Sequence, residues 1–206
     1  MKNVLFVSLG CDKNLVDSEK MLGLLNEAGY RVAQEESEAD AIVVNTCCFI
    51  HDAKEESVET ILEMAEYKKT GKCKALIVTG CMAQRYKQEI LDEVTEVDAV
   101  IGTTGYTEIV PILDEILAEA EASQEEAAVE EPKEKSFVNC CPSIDLLPAS
   151  LADKRVVTTG GYTAYLKIAE GCDKHCTYCI IPKIRGDYRS VPMEDLIAEA
   201  KDLAKS

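Results

Sequence analysis

Apolar residues in this chain fall into short unbroken runs that alternate with longer stretches where they recur every three or four positions. Residues 4–9 are apolar and β-prone, and residues 16–28 follow with Val16, Met21, Leu22, Leu24, Leu25 and Ala28 at helical spacing. The same alternation repeats three times. Residues 41–44 precede a helical stretch over 53–67, residues 75–78 precede one starting near Gln84, and residues 99–101 precede one over 109–118. Strands without a polar side are buried on both faces, and the amphipathic helices between them supply the cover. The pattern predicts an α/β domain over residues 1–118, a flavodoxin-like parallel sheet with helices on both sides.

The pattern then changes. Residues 119–135, from Glu119-Ala120-Glu121 to Pro132-Lys133-Glu134-Lys135, are acidic and alanine-rich. They read either as a frayed extension of the preceding helix or as a mobile linker, and the domain division places an acidic linker at 119–150. Residues 155–159 and 162–170 read as extended segments joined at Gly160-Gly161. A helix opening at Pro192 would bury Ile197, Ala200 and Leu203. This is one strand–loop–helix unit, and one such unit cannot close a barrel. Residues 151–206 are therefore expected to begin a barrel domain, and the chain to be the N-terminal portion of something longer.

The loop of that unit, Gly171-Cys172-Asp173-Lys174-His175-Cys176-Thr177-Tyr178-Cys179, sets three thiols in a C-x3-C-x2-C run. Three thiolates on a four-iron cubane leave one iron open to an outside ligand. Two other readings compete: a structural zinc knot with His175 as fourth ligand, and a disulfide with one odd thiol.

Three further cysteines share one context. Cys11 (in Ser8-Leu9-Gly10-Cys11), Cys47 (in Asn45-Thr46-Cys47) and Cys81 (in Thr79-Gly80-Cys81) each lie just beyond a predicted strand. Ligand sites of parallel sheets lie beyond the carboxyl ends of the strands, so register alone sends all three thiols to one rim. Glycines 10 and 80 let the backbone turn sharply beside a bulky group. A second three-thiolate cluster is expected, against the reading that each cysteine is a small buried hydrophobe. Cys48 competes with Cys47, and strand phase does not choose between them. Cys73, Cys140 and Cys141 fall outside the pattern and receive no role.

Composition narrows the partners. Ten cysteines with no secretory signal point to a reducing compartment, the cytoplasm, and to metal or redox chemistry. The opening residues superficially suggest a lipoprotein signal, but the apolar stretch is short and carries Lys2. No apolar run approaches the length of a membrane span. The net charge is −16, and its most concentrated part lies in residues 114–135. Such a surface repels phosphate backbones, which argues against nucleic acid as the partner of this segment. It either attracts a basic partner or serves only solubility.

Taken together, the motifs resemble those of the methylthiotransferases of the radical S-adenosylmethionine (SAM) superfamily, in the branch that modifies ribosomal protein uS12. The resemblance is carried by Ser8-Leu9-Gly10-Cys11-Asp12-Lys13-Asn14-Leu15-Val16-Asp17-Ser18-Glu19, by Val44-Asn45-Thr46-Cys47-Cys48-Phe49-Ile50 with Ala53-Lys54-Glu55-Glu56-Ser57, by Val78-Thr79-Gly80-Cys81-Met82-Ala83-Gln84-Arg85-Tyr86, and by Leu166-Lys167-Ile168-Ala169-Glu170-Gly171-Cys172 through Ile181-Pro182-Lys183-Ile184-Arg185-Gly186. One departure is Cys48, where the family usually has glycine. The resemblance implies two 4Fe-4S clusters, one on Cys172, Cys176 and Cys179 that cleaves SAM, and an auxiliary one on Cys11, Cys47 and Cys81 that carries the transferred sulfur. Tyr178 would lie near the SAM adenine, with an aromatic core residue as its bland alternative. The implied substrate is an aspartate of uS12, a basic protein, and the implied electron donor a flavodoxin or ferredoxin. The rivals are the sister branch acting on a tRNA adenosine and a non-catalytic iron–sulfur or zinc protein.

Overall fold

The computed structural model describes residues 2–126, 138–147 and 155–205. The apolar runs become strands β1 (Asn3–Ser8), β3 (Ala41–Thr46), β4 (Ala75–Gly80) and β5 (Ala99–Ile101), with a two-residue β2 (Arg31–Val32). Their order is β2-β1-β3-β4-β5, all parallel, which is the flavodoxin-like arrangement the pattern predicts.

Helices α1 (Asp12–Glu27), α2 (His51–Thr70), α3 (Cys81–Glu93) and α4 (Ile109–Glu126) cover both faces of the sheet. On one face Ile42, Val44, Leu76 and Val78 pack against Ile61, Met64 and Leu91. On the other, Ala41, Val43, Ile77 and Ile101 pack against Met21, Leu25, Leu113 and Leu117. Successive strand residues thus serve opposite cores, which is why the strands show no polar alternation. Helix α3 is kinked at Lys87, whose φ of 27° is not helical.

Three features depart from expectation. Within 119–150, where an acidic linker is expected, α4 continues to Glu126, the helix extension given as the other reading, and Val138–Cys140 forms β6, a sixth parallel strand beside β5. The remainder of that linker, residues 127–137 and 148–150, lies outside the described residues. In the second segment, only Ala169–Glu170 of the two extended stretches is a strand, β7. After the cysteine loop come a short helix α5 (Ile181–Arg185) and β8 (Arg189–Ser190), antiparallel to β7, before α6 (Met193–Leu203).

The third departure is how α6 docks. Ile197 is 48% exposed, while Glu199 is buried and paired with Arg155 Nη1 at 2.7 Å and Lys20 Nζ at 3.5 Å. Ion pairs, not the expected apolar face, hold this helix against α1. The same holds along the whole exposed-looking side of α1. Glu19, wholly buried, accepts from Arg155 Nε at 2.7 Å and from the Thr158 N–H at 2.7 Å. Lys13 donates to the Ala169 carbonyl at 2.7 Å. Helix α1 is therefore covered twice, by the sheet through its apolar side and by residues 155–205 through its polar one.

Candidate cluster-binding site

Strand register builds the first site. Thr46 pairs with Gly80 and Ser8 with Asn45, so the chains leave β1, β3 and β4 at neighbouring points of one rim. Cys11 immediately precedes α1, Cys81 opens α3, and Cys47 follows β3 directly. All three line one open cavity of about 940 Å³, together with Lys13, Phe49, Ile50, Ile181 and Arg185 among others.

The backbone turns tightly enough to require glycine at two points. At Gly10 (φ +90°) a Cβ would stand 2.7 Å from Cys47 Cβ, and at Gly80 (φ +91°) it would stand 2.2 Å from Asn45 Oδ1. Ser57 fixes Cys47 from behind, accepting from its N–H at 3.0 Å and donating to its carbonyl at 2.9 Å.

The structure also separates the adjacent pair of thiols. Cys47 faces the cavity, whereas Cys48 is buried in the α2–α3 core with Sγ donating to the Cys81 carbonyl at 3.3 Å. Burial raises the Cys48 thiol's pKa, and it raises that of Cys81 to about 11 even though the nearby Arg185 guanidinium draws it down. Binding a metal at Cys81 therefore requires displacing a proton.

Asn14 and Arg185 belong to this site and escaped the sequence reading. The Asn14 amide donates to the carbonyls of Leu9 at 3.0 Å and Thr46 at 2.9 Å, and Cys81 Sγ approaches its Oδ1 at 3.7 Å. Arg185 donates to that same Oδ1 at 2.7 Å and to Glu170 at 2.9 and 3.1 Å, and it reaches Asp17 at 3.3 Å. Lys167 completes the set by pairing with Asp17 and Glu170. Burial opposes the Glu170 charge, yet Lys167 and Arg185 hold its carboxyl at about 2. Arg185 stood within the Ile181–Gly186 motif that carries the resemblance, but nothing in the sequence tied it to the first three thiols.

The second triplet lies on the loop between β7 and α5. Cys172 and Cys179 are half-buried and Cys176 exposed. The loop is pinned by Cys172 N–H to the Gly186 carbonyl at 3.1 Å, Cys179 N–H to the Cys176 carbonyl at 3.0 Å, and Tyr188 N–H to Asp173 at 2.6 Å. Gly171 (φ +73°) is crossed so closely that a Cβ would lie 1.9 Å from the Asp187 carbonyl. Tyr178 projects outward, 88% exposed. His175 faces Asp187 at 3.8 Å.

Among the described residues, one set of His, Cys, Asp or Glu brings its ligand atoms within 4.8 Å of one another, the exposed His51, Asp52 and Glu55. An i, i+4 pair accounts for that set, with His51 Nδ1 3.4 Å from Glu55. Neither thiol triplet is gathered that tightly, as a single tetrahedral zinc ion would require. An all-thiolate donor set around a roomy cavity suits a bulkier group, and an iron–sulfur cluster fits that description.

Residues 3–102 match the family described as Uncharacterized protein family UPF0004. Over nearly its whole length the chain is similar to proteins named ribosomal protein uS12 methylthiotransferase RimO. Identity is 60% over 202 residues with that of Lachnoclostridium phytofermentans (98% of this chain, 42% of the relative). It is 50% over 203 residues with that of Acetivibrio thermocellus (98% and 42%) and 49% over 205 residues with that of Myxococcus xanthus (100% and 39%). The chain spans about two fifths of the length of these relatives.

Proposed function

We propose that this chain, which belongs with the N-terminal portion of the uS12 methylthiotransferase family, is the cluster-bearing part of a radical SAM enzyme. The enzyme transfers a methylthio group to the β-carbon of an aspartate on ribosomal protein uS12. Cys172, Cys176 and Cys179 would hold the SAM-cleaving 4Fe-4S cluster, with Tyr178 beside the SAM adenine, and Cys11, Cys47 and Cys81 the auxiliary cluster. When bound, these groups supply a radical able to remove hydrogen from an unactivated carbon, and the sulfur delivered to it. The expected compartment is the cytoplasm, and the expected electron donor a flavodoxin or ferredoxin.

The chain's own contribution is to hold and shape. The observation that carries the reading is the meeting of Cys11, Cys47 and Cys81 on one cavity, part of whose wall is Ile181 and Arg185 from the segment that directly follows the second triplet. The paired carboxylates and cations of Asp17, Lys167, Glu170 and Arg185 tie β7 and α5, the elements flanking the second triplet, to α1 at the first. Phe49 and Ile50, each about half exposed, give the cavity mouth an apolar lip.

The test is anaerobic incubation of the full-length enzyme with SAM and reductant, offering uS12 and tRNA separately, with mass spectrometry of both. A methylthio adduct on a uS12 aspartate is expected, lost when either triplet is changed to alanine. Modification of tRNA and not of uS12 would overturn the substrate assignment.

A further inference from the structure

The buried cation at the first thiol site does not come from the domain that carries the thiols. Two of the residues lining the cavity are cationic, Lys13 and Arg185. Lys13 is partly exposed and spends its ammonium on the Ala169 carbonyl. Arg185, only 2% exposed, closes α5 directly after the second cysteine loop. One guanidinium nitrogen, Nη1, donates to both Glu170 oxygens at 2.9 and 3.1 Å and reaches Asp17 at 3.3 Å. A purely structural ion pair would need no more than that. Its other nitrogen is turned to Asn14 Oδ1 at 2.7 Å, and the guanidinium lies against the Cys81 thiol.

Asn14 is the junction of the three thiol-bearing turns. Its amide nitrogen holds the carbonyl of Leu9, two residues before Cys11, and that of Thr46, directly before Cys47. Its oxygen approaches Cys81 Sγ at 3.7 Å. By donating to that oxygen, Arg185 fixes which end of the amide faces which turn.

We propose that Arg185 is a positioning residue for the auxiliary cluster: through Asn14 it fixes the three turns that carry Cys11, Cys47 and Cys81, and its charge balances the thiolates on the rim. The inference rests on the reading that these three cysteines hold a cluster. A cation held beside a cluster favours the state carrying one more electron, so removing it lowers the reduction potential.

The experiment uses the full chain with Cys172, Cys176 and Cys179 changed to alanine, reconstituted anaerobically so that only first-domain iron is seen. Iron content and an EPR-monitored redox titration are compared for this parent, Arg185→Gln and Arg185→Lys. The parent is expected to hold about four irons. In Arg185→Gln the reduction equilibrium should shift at least about tenfold toward the oxidised form, about 59 mV lower for a one-electron couple. Arg185→Lys should recover most of the shift. Iron lost in Arg185→Gln but kept in Arg185→Lys is the stronger form of the same result.

If Arg185→Gln does not fold, the comparison moves to Glu170→Gln against Glu170→Gln/Arg185→Gln, where no carboxylate is orphaned at Glu170 and the same downward shift is expected. Full iron with an unchanged potential overturns the role of Arg185 and leaves the cluster ligands standing. A parent without iron overturns the ligand assignment itself, before any Arg185 variant is compared.

Discussion

Gly80→Ala and Gly29→Ala both place a side chain at positive φ, in different surroundings, and together they test how tightly the first thiol rim is built. Gly80 adopts φ +91° and Gly29 φ +89°. An alanine in this left-handed range pays a steric cost of roughly 1–2 kcal/mol. At Gly29, which ends α1 with Tyr30 N–H returning to the Leu25 carbonyl at 2.9 Å, a methyl group meets nothing within 4 Å. The whole effect there should be the backbone cost, about 1 kcal/mol.

At Gly80, with ψ −153°, the methyl would stand 2.2 Å from Asn45 Oδ1 and 2.6 Å from the Thr46 carbonyl. Asn45 cannot move without losing its donations to the Asn14 carbonyl and to Ser18 Oγ, both 2.8 Å and buried. Orphaning buried polar groups adds about 1–3 kcal/mol, which brings Gly80→Ala to about 2–5 kcal/mol. Against a typical domain stability of roughly 5–15 kcal/mol, that difference is plain in a urea titration. Reconstituted iron should fall in Gly80→Ala and not in Gly29→Ala, since Cys81 follows the strained bond. Equal midpoints for the two variants would refute the reasoning, because crowding at the rim would then contribute nothing.

Three further outcomes are expected. Cys47→Ala should lose about four irons on reconstitution, whereas Cys48→Ala should keep them and lose about 1–2 kcal/mol of stability from the vacated core space; the reverse pattern would reassign the ligand. Glu19→Gln should destabilise the chain by about 1–3 kcal/mol in denaturant, since it removes one of the two carboxylates that hold the buried Arg155 and leaves Glu199 as the other, and an unchanged midpoint would show that the α1 interface is not held by ion pairs. The Glu170 carboxyl has a folded pKa of about 2 against an ordinary 4.5. Its stabilising contribution is present above pH 4.5 and drains away as pH falls toward 2, so the native chain should lose about 3 kcal/mol more than Glu170→Gln between pH 6 and pH 2. Parallel pH profiles for the two proteins would count against that pairing.

Much of this architecture could be read from the chain because parallel strands buried on both faces leave unbroken apolar runs, and the cysteines sit at fixed offsets from those runs. Val138-Asn139-Cys140 leaves no such trace. Three residues with a central asparagine become a strand only because β5 offers a free edge. The polar side of α1 gave no signal for a different reason. Asn14, Asp17, Glu19 and Lys20 look like a solvated face, and their partners Arg155, Lys167, Arg185 and Glu199 stand far along the chain, 150 residues away in the case of Lys167 and Asp17. Burial by matched charges carries no hydrophobic signature, so neither the second cover on α1 nor the inward turn of Glu199 could be seen in periodicity. Cys47 and Cys48 show the limit of register: adjacent residues face opposite ways, and which one faces the rim depends on where β3 ends.

The cover on α1 also has a consequence in time. A ribosome releases this chain from its N-terminus at about 5–20 residues per second. The strands bearing Cys11, Cys47 and Cys81 emerge well before Arg155, Lys167 and Arg185. For several seconds of every synthesis the three thiols stand on a rim that lacks its cation and part of its wall. On the proposed reading the nascent domain is most open to incoming iron and sulfide, and its thiols most exposed to oxidation, before residues 155–205 arrive to cover the rim.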